Sequence, residues 1–290
     1  MTDLSPPAKG TLAIIAAAVI WGFQPIFYGF LGDLPARDIA AHRILWSLVF
    51  FAFVLTVRGR LRALKAAITA PHQIGWTFLA AVLVSCNWFF FVYAIQTGRL
   101  TESSLGYYIY PLVSVALGAA LFRERFARIQ VIALGLVALG VLILTMGLGR
   151  APLISLILAL TFALYGVVKK RIATGPTVSV TAEVALLSPF VLVWILGYSD
   201  IAALRPAHWG LLMLSGPLTG LPLILFAYAA QSVRLSTIGL ISYLNPTLQF
   251  LVAALVFSEA VTVWHMVALA LIWVALALYS QDAIRRDRAK

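Results

Sequence analysis

Three ionisable side chains stand inside long apolar stretches of this sequence. Arg43 follows His42 in the stretch 38–57, and Glu183 lies in the stretch 179–197. A charge inside a bilayer costs about 3 kcal/mol or more unless it is paired, faces water or snorkels to the interface. Arg43 could therefore hold an anionic group or form a gate, with His42 in the same polar site, and Glu183 could be a cation or proton partner. The alternative is that Arg43 and Glu183 snorkel to the nearer interface.

Two tyrosine–proline pairs could act as hinges. Tyr108 stands three residues before Pro111, and Tyr243 stands three residues before Pro246. A proline inside a helix removes one backbone hydrogen bond and frees a carbonyl group that can face a cavity. We predict that these pairs are hinges, whereas the alternative is that the prolines only curve their helices for packing.

Amide and aromatic side chains within the apolar stretches are candidates for the walls of a binding site. Buried amides either bridge helices or line a wet cavity, and aromatic rings suit flat or amphipathic ligands. The predicted substrate-binding residues are Trp21, Gln24, Arg43, Asn87, Trp88, Tyr108, Tyr165, Tyr228, Tyr243 and Asn245. The predicted coupling or gating residues are His42, Glu183, Pro111 and Pro246.

The elements that hold these residues are predicted to be membrane-spanning helices. Hydrophobic residues make up 62% of the 290 residues and charged residues only 11%, with a mean hydropathy of +1.00. Soluble domains carry about 25% charged residues, so a soluble fold is excluded. A span needs roughly 20 apolar residues. The predicted spans are 11–31, 38–57, 74–95, 103–122, 129–147, 152–168, 179–197, 209–230, 237–256 and 262–281.

The basic residues indicate how these spans are oriented. The net charge of +11 could suggest a nucleic-acid partner, but in so apolar a chain it is better explained by basic cytoplasmic loops. With the N-terminus inside, the inner loops and termini carry 16 Lys and Arg residues and the outer loops carry 4. The bias alternates from loop to loop, which predicts ten spans in an inner membrane with both termini cytoplasmic and no nucleic-acid partner.

An internal repeat divides the chain in two. Residues 96–124 and 231–259 match at a constant offset of 135. The shared residues include Gln96/Gln231, Tyr108/Tyr243, Pro111/Pro246 and Glu124/Glu259. Because a unit of five spans is odd, its second copy must be inverted. We therefore expect an all-α membrane protein in which 1–150 and 151–290 are two inverted five-helix repeats around a central cavity. Secondary transporters have this architecture and bind substrate near the midplane.

Other chemistries find no support in the sequence. It has no GxxxxGK[ST], no HExxH, no GxSxG and no cysteine–histidine cluster, and Cys86 is its single cysteine. We therefore predict no metal, no cofactor, no ATP hydrolysis within this chain and no ATPase subunit. The expected partners are a small-molecule substrate and the lipid bilayer, and the oligomeric state stays open.

Several stretches carry a family resemblance. They include WGFQPIFY at 21–28, AHRILWS at 41–47, LTESSLGYYIYPLVSVALG at 100–118, FALYGVVKKRI at 162–172 and RLSTIGLISYLNPTLQFLVA at 234–253. With them the sequence resembles the EamA-type branch of the drug/metabolite transporter superfamily, and within it the RarD-type permeases. The resemblance implies a ten-helix bundle around a central cavity that exports small metabolites or drugs.

Two other functions remain open at this point. An intramembrane enzyme acting on a lipid-like substrate could use His42, Arg43 and Glu183, and it would bring these side chains within hydrogen-bond reach of one another. A non-transporting membrane partner would have a solid midplane without a cavity.

Overall fold

The computed structural model describes residues 6–122, 128–149, 151–169, 171–201, 204–233 and 241–288. Throughout these ranges the chain is helical and contains no strand. The helices are α1 (Pro6–Gly29), α2 (Ala36–Val57), α3 (Leu61–Thr69), α4 (Pro71–Gln96), α5 (Leu100–Phe122), α6 (Arg128–Leu148), α7 (Leu153–Lys169), α8 (Pro176–Tyr198), α9 (Pro206–Ser232), α10 (Leu244–Leu255) and α11 (Val263–Arg288). In a bilayer the backbone must satisfy its own hydrogen bonds, which favours helices throughout.

Every predicted span overlaps one of these helices, and α3 overlaps none. Within the described residues, six helical segments are long and apolar enough to cross a membrane, namely Pro7–Gly29, Ala36–Val57, Pro71–Gln96, Val131–Leu148, Pro176–Tyr198 and Pro206–Ala229. The apolar helices α7 and α10 and the Val263–Tyr279 part of α11 are shorter. The prediction of an all-helical, multi-pass membrane protein is confirmed, and the arrangement as ten spans in two inverted repeats stays a prediction.

Helix α3 lies where the sequence analysis placed a connection, at 58–73. Its Leu64 and Ile68 are four residues apart and pack with Val178 and Ala182 of α8. The charged side chains of Arg62 and Lys65 are exposed. The helix is amphipathic and too short to span a bilayer, so a search for long apolar runs misses it.

Proline and glycine mark several helix ends. Four of the described helices begin at a proline, where the missing N–H has no intrahelical role; they are α1, α4, α8 and α9. A glycine with positive φ follows the end of α2, α4 and α6; these glycines are Gly59, Gly98 and Gly149. A left-handed residue at this position closes a helix, and glycine adopts it without steric cost.

The helices of the two halves of the chain interleave. Helix α1 packs against α9 and α10, α2 against α8 and α9, α4 against α7 and α8, α5 against α7 and α10, and α6 against α11. Large apolar side chains also cover the outside of the bundle, and those of Met146, Leu196 and Leu255 are about three-quarters exposed. Such a surface suits contact with lipid. The polar groups that need partners therefore lie between the helices.

Candidate functional site

Arg43 is buried between four helices and does not snorkel. It is the eighth residue of α2, about 10 Å along the axis from Ala36. Its side chain is 3% exposed, and Nε donates a hydrogen bond to Thr219 Oγ1 of α9 at 3.0 Å. The guanidinium carbon lies 4.6 Å from the ring centre of Trp88 in α4 and 5.2 Å from that of Tyr28 in α1. Cation–π contacts of this kind stabilise a desolvated guanidinium.

The stretch of α9 that receives Arg43 is interrupted by proline. Pro222 has no N–H, so the carbonyl of Leu218 one turn earlier lacks its helical partner. Gln24 of α1 takes that place, because its Nε2 donates to the Leu218 carbonyl at 2.8 Å. Thr219, the acceptor for Arg43, is the next residue. The carbonyl freed by Pro222 is thus used in a contact between α1 and α9.

Two glycines bring α9 close enough to α2 for these contacts. A Cβ at Gly216 would lie 2.3 Å from the backbone oxygen of Trp46, and one at Gly220 would lie 2.4 Å from the ring of Phe50. Spaced four residues apart, the two glycines share one face of α9. Small residues at this spacing let membrane helices approach backbone to backbone.

Asn87 connects three helices beside the Arg43 site. Its Nδ2 donates to the Leu158 carbonyl at 3.0 Å and to Thr161 Oγ1 at 3.1 Å, both in α7. Its Oδ1 accepts a hydrogen bond from the Tyr107 hydroxyl of α5 at 2.9 Å. Because Asn87 precedes Trp88 in α4, this network adjoins the aromatic contact of Arg43. The predicted residues Gln24, Arg43, Asn87 and Trp88 therefore lie around one polar interior.

Glu183 forms a separate buried cluster. It is fully buried in α8, and its carboxylate accepts from Lys169 Nζ at 2.6 Å, from Ser179 Oγ at 2.9 Å and from the Tyr165 hydroxyl at 3.0 Å. The Lys169 side chain is 24% exposed and also donates to Ser179. An ion pair with several hydrogen bonds offsets the desolvation of a buried carboxylate. Glu183 is thus paired within the second half of the chain, and it does not snorkel.

His42 lies next to Arg43 but contacts different groups. Its ring is 1% exposed and packs edge-on against Trp209, with ring centres 5.7 Å apart. Among the described residues, neither ring nitrogen of His42 has a hydrogen-bond partner, and the same holds for Arg43 Nη1, Trp46 Nε1 and Ser47 Oγ. Buried polar groups are rarely left unpaired. Their concentration on residues 42–47 makes this part of α2 the strongest candidate for contact with a ligand.

The remaining aromatic candidates lie in different surroundings. Trp21 is half-buried, with its ring centre 6.1 Å from that of Phe226 in α9. Tyr108 is buried, and its hydroxyl lies 2.6 Å from Thr247 Oγ1 of α10. The side chain of Tyr228 is 43% exposed. Tyr108 packs in an apolar cluster with residues of α6 and α11.

The two tyrosine–proline pairs differ in their local structure. Helix α5 runs without a break through Pro111. At the second pair the helix is interrupted at Tyr243, and α10 begins at Leu244 with Pro246 in its first turn. Asn245 accepts a hydrogen bond from Gln249 at 2.9 Å, within the same helix. A hinge at either pair stays a prediction, with a visible break only at the second.

Two contacts join the halves of the chain where the spans are predicted to reach the outer face. Asp33, after α1, forms ion pairs with Arg205 and His208 at the start of α9. Desolvation acts to raise the pKa of Asp33, but its backbone hydrogen bond and the charges of His208 and Arg205 together hold it below its usual value. This contact is exposed and therefore weak.

The second contact is a helix cap. Glu259, after α10, accepts from the backbone N–H groups of Leu100 at 2.6 Å and Thr101 at 2.8 Å, the first two residues of α5. A carboxylate there satisfies unpaired donors and the helix dipole. Glu259 therefore caps the N-terminus of α5. Glu124, its counterpart in the repeat, lies outside the described residues.

Sequence reasoning missed several members of these clusters. Thr219 is not distinctive by residue type, because threonine is common in membrane helices. It lies, however, between Pro217 and Pro222 and between Gly216 and Gly220. The density of helix-breaking and small residues was the available signal. Lys169 was assigned to a cytoplasmic loop, but it is the last residue of α7 and reaches back to Glu183.

The fold and site define a polytopic helical membrane protein with a polar interior, and comparisons with known proteins give its family. The model of the EamA-like transporter family matches residues 8–146 and again residues 150–281. The chain belongs to this family.

Named relatives and a solved structure agree with this assignment. The chain is 38% identical to Protein RarD of Salmonella typhimurium, over 99% of this chain and 100% of that one. It is 36% identical to Protein RarD of Escherichia coli K12, over 99% and 98%, and 36% identical to the uncharacterized transporter YojE of Bacillus subtilis, over 97% and 96%. One crystal structure shares the fold with a TM-score of 0.65 and 19% identity, covering 96% of this chain and 98% of that one. The resemblance to RarD-type permeases is confirmed.

Proposed function

We propose that this protein is a secondary transporter that exports a small metabolite or drug across the inner membrane by alternating access. The observation that carries the proposal is the polar interior around Arg43, which lies between helices of both halves of the chain. Gln24 and Arg43 of the first half reach Leu218 and Thr219 in the proline-interrupted part of α9. Secondary transporters bind substrate where interrupted helices meet at the interface between repeats.

The packing of the helices supports two inverted repeats. If α1, α2, α4, α5 and α6 correspond in order to α7, α8, α9, α10 and α11, then most contacts come in equivalent pairs. The contact of α1 with α9 matches that of α7 with α4, and the contact of α5 with α7 matches that of α10 with α1. The pairs α2–α8, α5–α10 and α6–α11 match themselves. A two-fold arrangement of this kind lets the halves rock around a shared site.

The placement of basic residues supports an orientation with both termini in the cytoplasm. Inner loops and termini carry 16 Lys and Arg residues against 4 in outer loops. Export as the direction of flux follows the family resemblance.

The alternative function, an intramembrane enzyme, gains no support from the described residues. Arg43 and Glu183 have separate sets of partners, and His42 bonds to neither.

Flux through purified protein tests the proposal. Proteoliposomes are loaded with a cytosolic metabolite extract, and mass spectrometry follows which solutes leave the vesicles. We expect at least one solute to leave faster through the wild type than through Arg43→Ala. Gly210→Ala, at a position in α9 with no atom within 4 Å of the added Cβ, is the matched control and should retain the flux. If wild-type vesicles release no solute faster than protein-free vesicles do, the transport proposal is wrong.

A further inference from the structure

Among the described residues, no acidic side chain pairs with the guanidinium of Arg43. It is 3% exposed, and its electrostatic neighbours are the tyrosines Tyr28 and Tyr107. The buried acidic side chains within the described ranges have other partners, since Glu102 pairs with Arg99, Glu183 with Lys169, and Asp38 accepts from Trp194. A buried cation without an anion is costly, so a ligand that brings the missing charge binds favourably.

One nitrogen of Arg43 is available for that ligand. Nε is used by Thr219, whereas Nη1 is buried and has no partner among the described residues. A guanidinium presents its N–H groups in a planar fork that matches the two oxygens of a carboxylate. The guanidinium carbon lies 4.6 Å from the ring centre of Trp88 and 5.2 Å from that of Tyr28, so a ligand at Nη1 would lie beside aromatic rings.

The charges around Arg43 also indicate the charge of the ligand. One guanidinium neutralises one negative charge, and no second cation contacts it within the part of the chain that the structure describes. A phosphate monoester carries about two negative charges at pH 7 and would leave one of them unpaired in the interior. A monocarboxylate carries one. Aromatic side chains adjoin this nitrogen: the rings of Trp88 and Tyr28 contact the guanidinium, and Phe91 packs edge-on against Tyr28 with ring centres 6.1 Å apart.

We propose that the substrate class is small organic monocarboxylates with an apolar or aromatic body, and that Arg43 binds the carboxylate through Nη1. This inference rests on the proposed transport function and names the chemistry that the site selects. Neutral amides of the same shape lack the charge and leave the guanidinium uncompensated. Amines add a second buried cation beside it.

Thermal stability of the purified protein measures this selectivity. The probes are benzoate, 3-phenylpropionate and hexanoate, each compared with its neutral amide. We expect at least one carboxylate to raise the melting temperature in a saturable manner, while its amide has no effect. The shift should persist in Arg37→Gln, which removes an exposed arginine from the same helix, and should vanish in Arg43→Gln. A panel without any stabilising carboxylate, an equal shift from the amide, or an unchanged shift in Arg43→Gln would overturn the proposal.

Two further variants keep the test decisive if Arg43→Gln does not fold. Arg43→Lys keeps the charge and loses the fork, and Thr219→Val removes the acceptor that orients it. Each should weaken carboxylate binding several-fold, and unchanged affinity in both would also overturn the proposal.

Flux assays separate this inference from the function on which it rests. Carboxylate binding without flux contradicts transport, whereas flux of a neutral or cationic solute without carboxylate binding contradicts only the substrate class.

Discussion

Arg43 and Glu183 are each the eighth residue of their helices, α2 and α8, and both are buried. They carry opposite charges and have different partners. Arg43 contacts groups from α1, α4 and α9, whereas Glu183 is paired with Lys169 from its own half. If the two helices are counterparts in an inverted repeat, one buried charge lies toward each face of the membrane. The pair suggests that the halves have the same framework but different chemistry.

Arg43 should be essential for transport. Arg43→Ala is expected to abolish flux in proteoliposomes while the protein still inserts and stays monodisperse. Arg43→Lys should recover only part of it, because lysine keeps the charge and loses the planar fork that reaches Thr219. Near wild-type flux in Arg43→Ala would leave the residue as a packing element and contradict its role in the site.

The Lys169–Glu183 pair should matter mainly for stability. Lys169→Met leaves the Glu183 carboxylate buried without its counter-ion, which should cost about 3 kcal/mol, the lower end for a broken buried pair because Lys169 is partly exposed. Adding Glu183→Gln removes the charge, and the amide can still bond Tyr165 and Ser179. The double variant should therefore melt at a higher temperature than Lys169→Met. A double variant that is no more stable than the single one would contradict the ion pair.

The close approach of α2 and α9 should be sensitive to one methyl group. In Gly216→Ala the new Cβ would meet the rigid backbone of Trp46 at 2.3 Å, so the helices must separate. We expect a loss of about 1–3 kcal/mol in the free energy of unfolding, typical of overpacking. Gly210→Ala in the same helix has no atom within 4 Å of its Cβ and should leave stability unchanged or slightly higher. Equal melting temperatures for the two variants would contradict the packing.

The C-terminus should lie in the cytoplasm. A reporter that is active only in the cytoplasm, fused after Lys290, should give full signal, and a periplasmic reporter fused at the same point should be silent. The expectation rests on the alternation of basic loops along the predicted spans. A periplasmic C-terminus would contradict the prediction of ten spans and, with it, the prediction of an inverted repeat.

Apolar runs were sufficient to predict the long helices, because the bilayer allows few other backbone structures. They could not reveal α3, whose contacts depend on Leu64 and Ile68 within an otherwise polar stretch. The sequence also identified some residues of the buried polar clusters but not others. A charge inside a span pointed to Arg43 and Glu183, but their partners Thr219 and Lys169 became apparent only when helices distant in sequence were brought together.

The hydrogen bond from Gln24 to the Leu218 carbonyl has a consequence for mutational scanning of α9. Its acceptor is a backbone atom, so replacing the Leu218 side chain with alanine leaves the bond in place. The Leu218→Ala variant of an alanine scan would therefore not report this contact. It becomes visible only when Gln24 loses its amide, or when Pro222 is replaced by a residue whose N–H competes for the same oxygen.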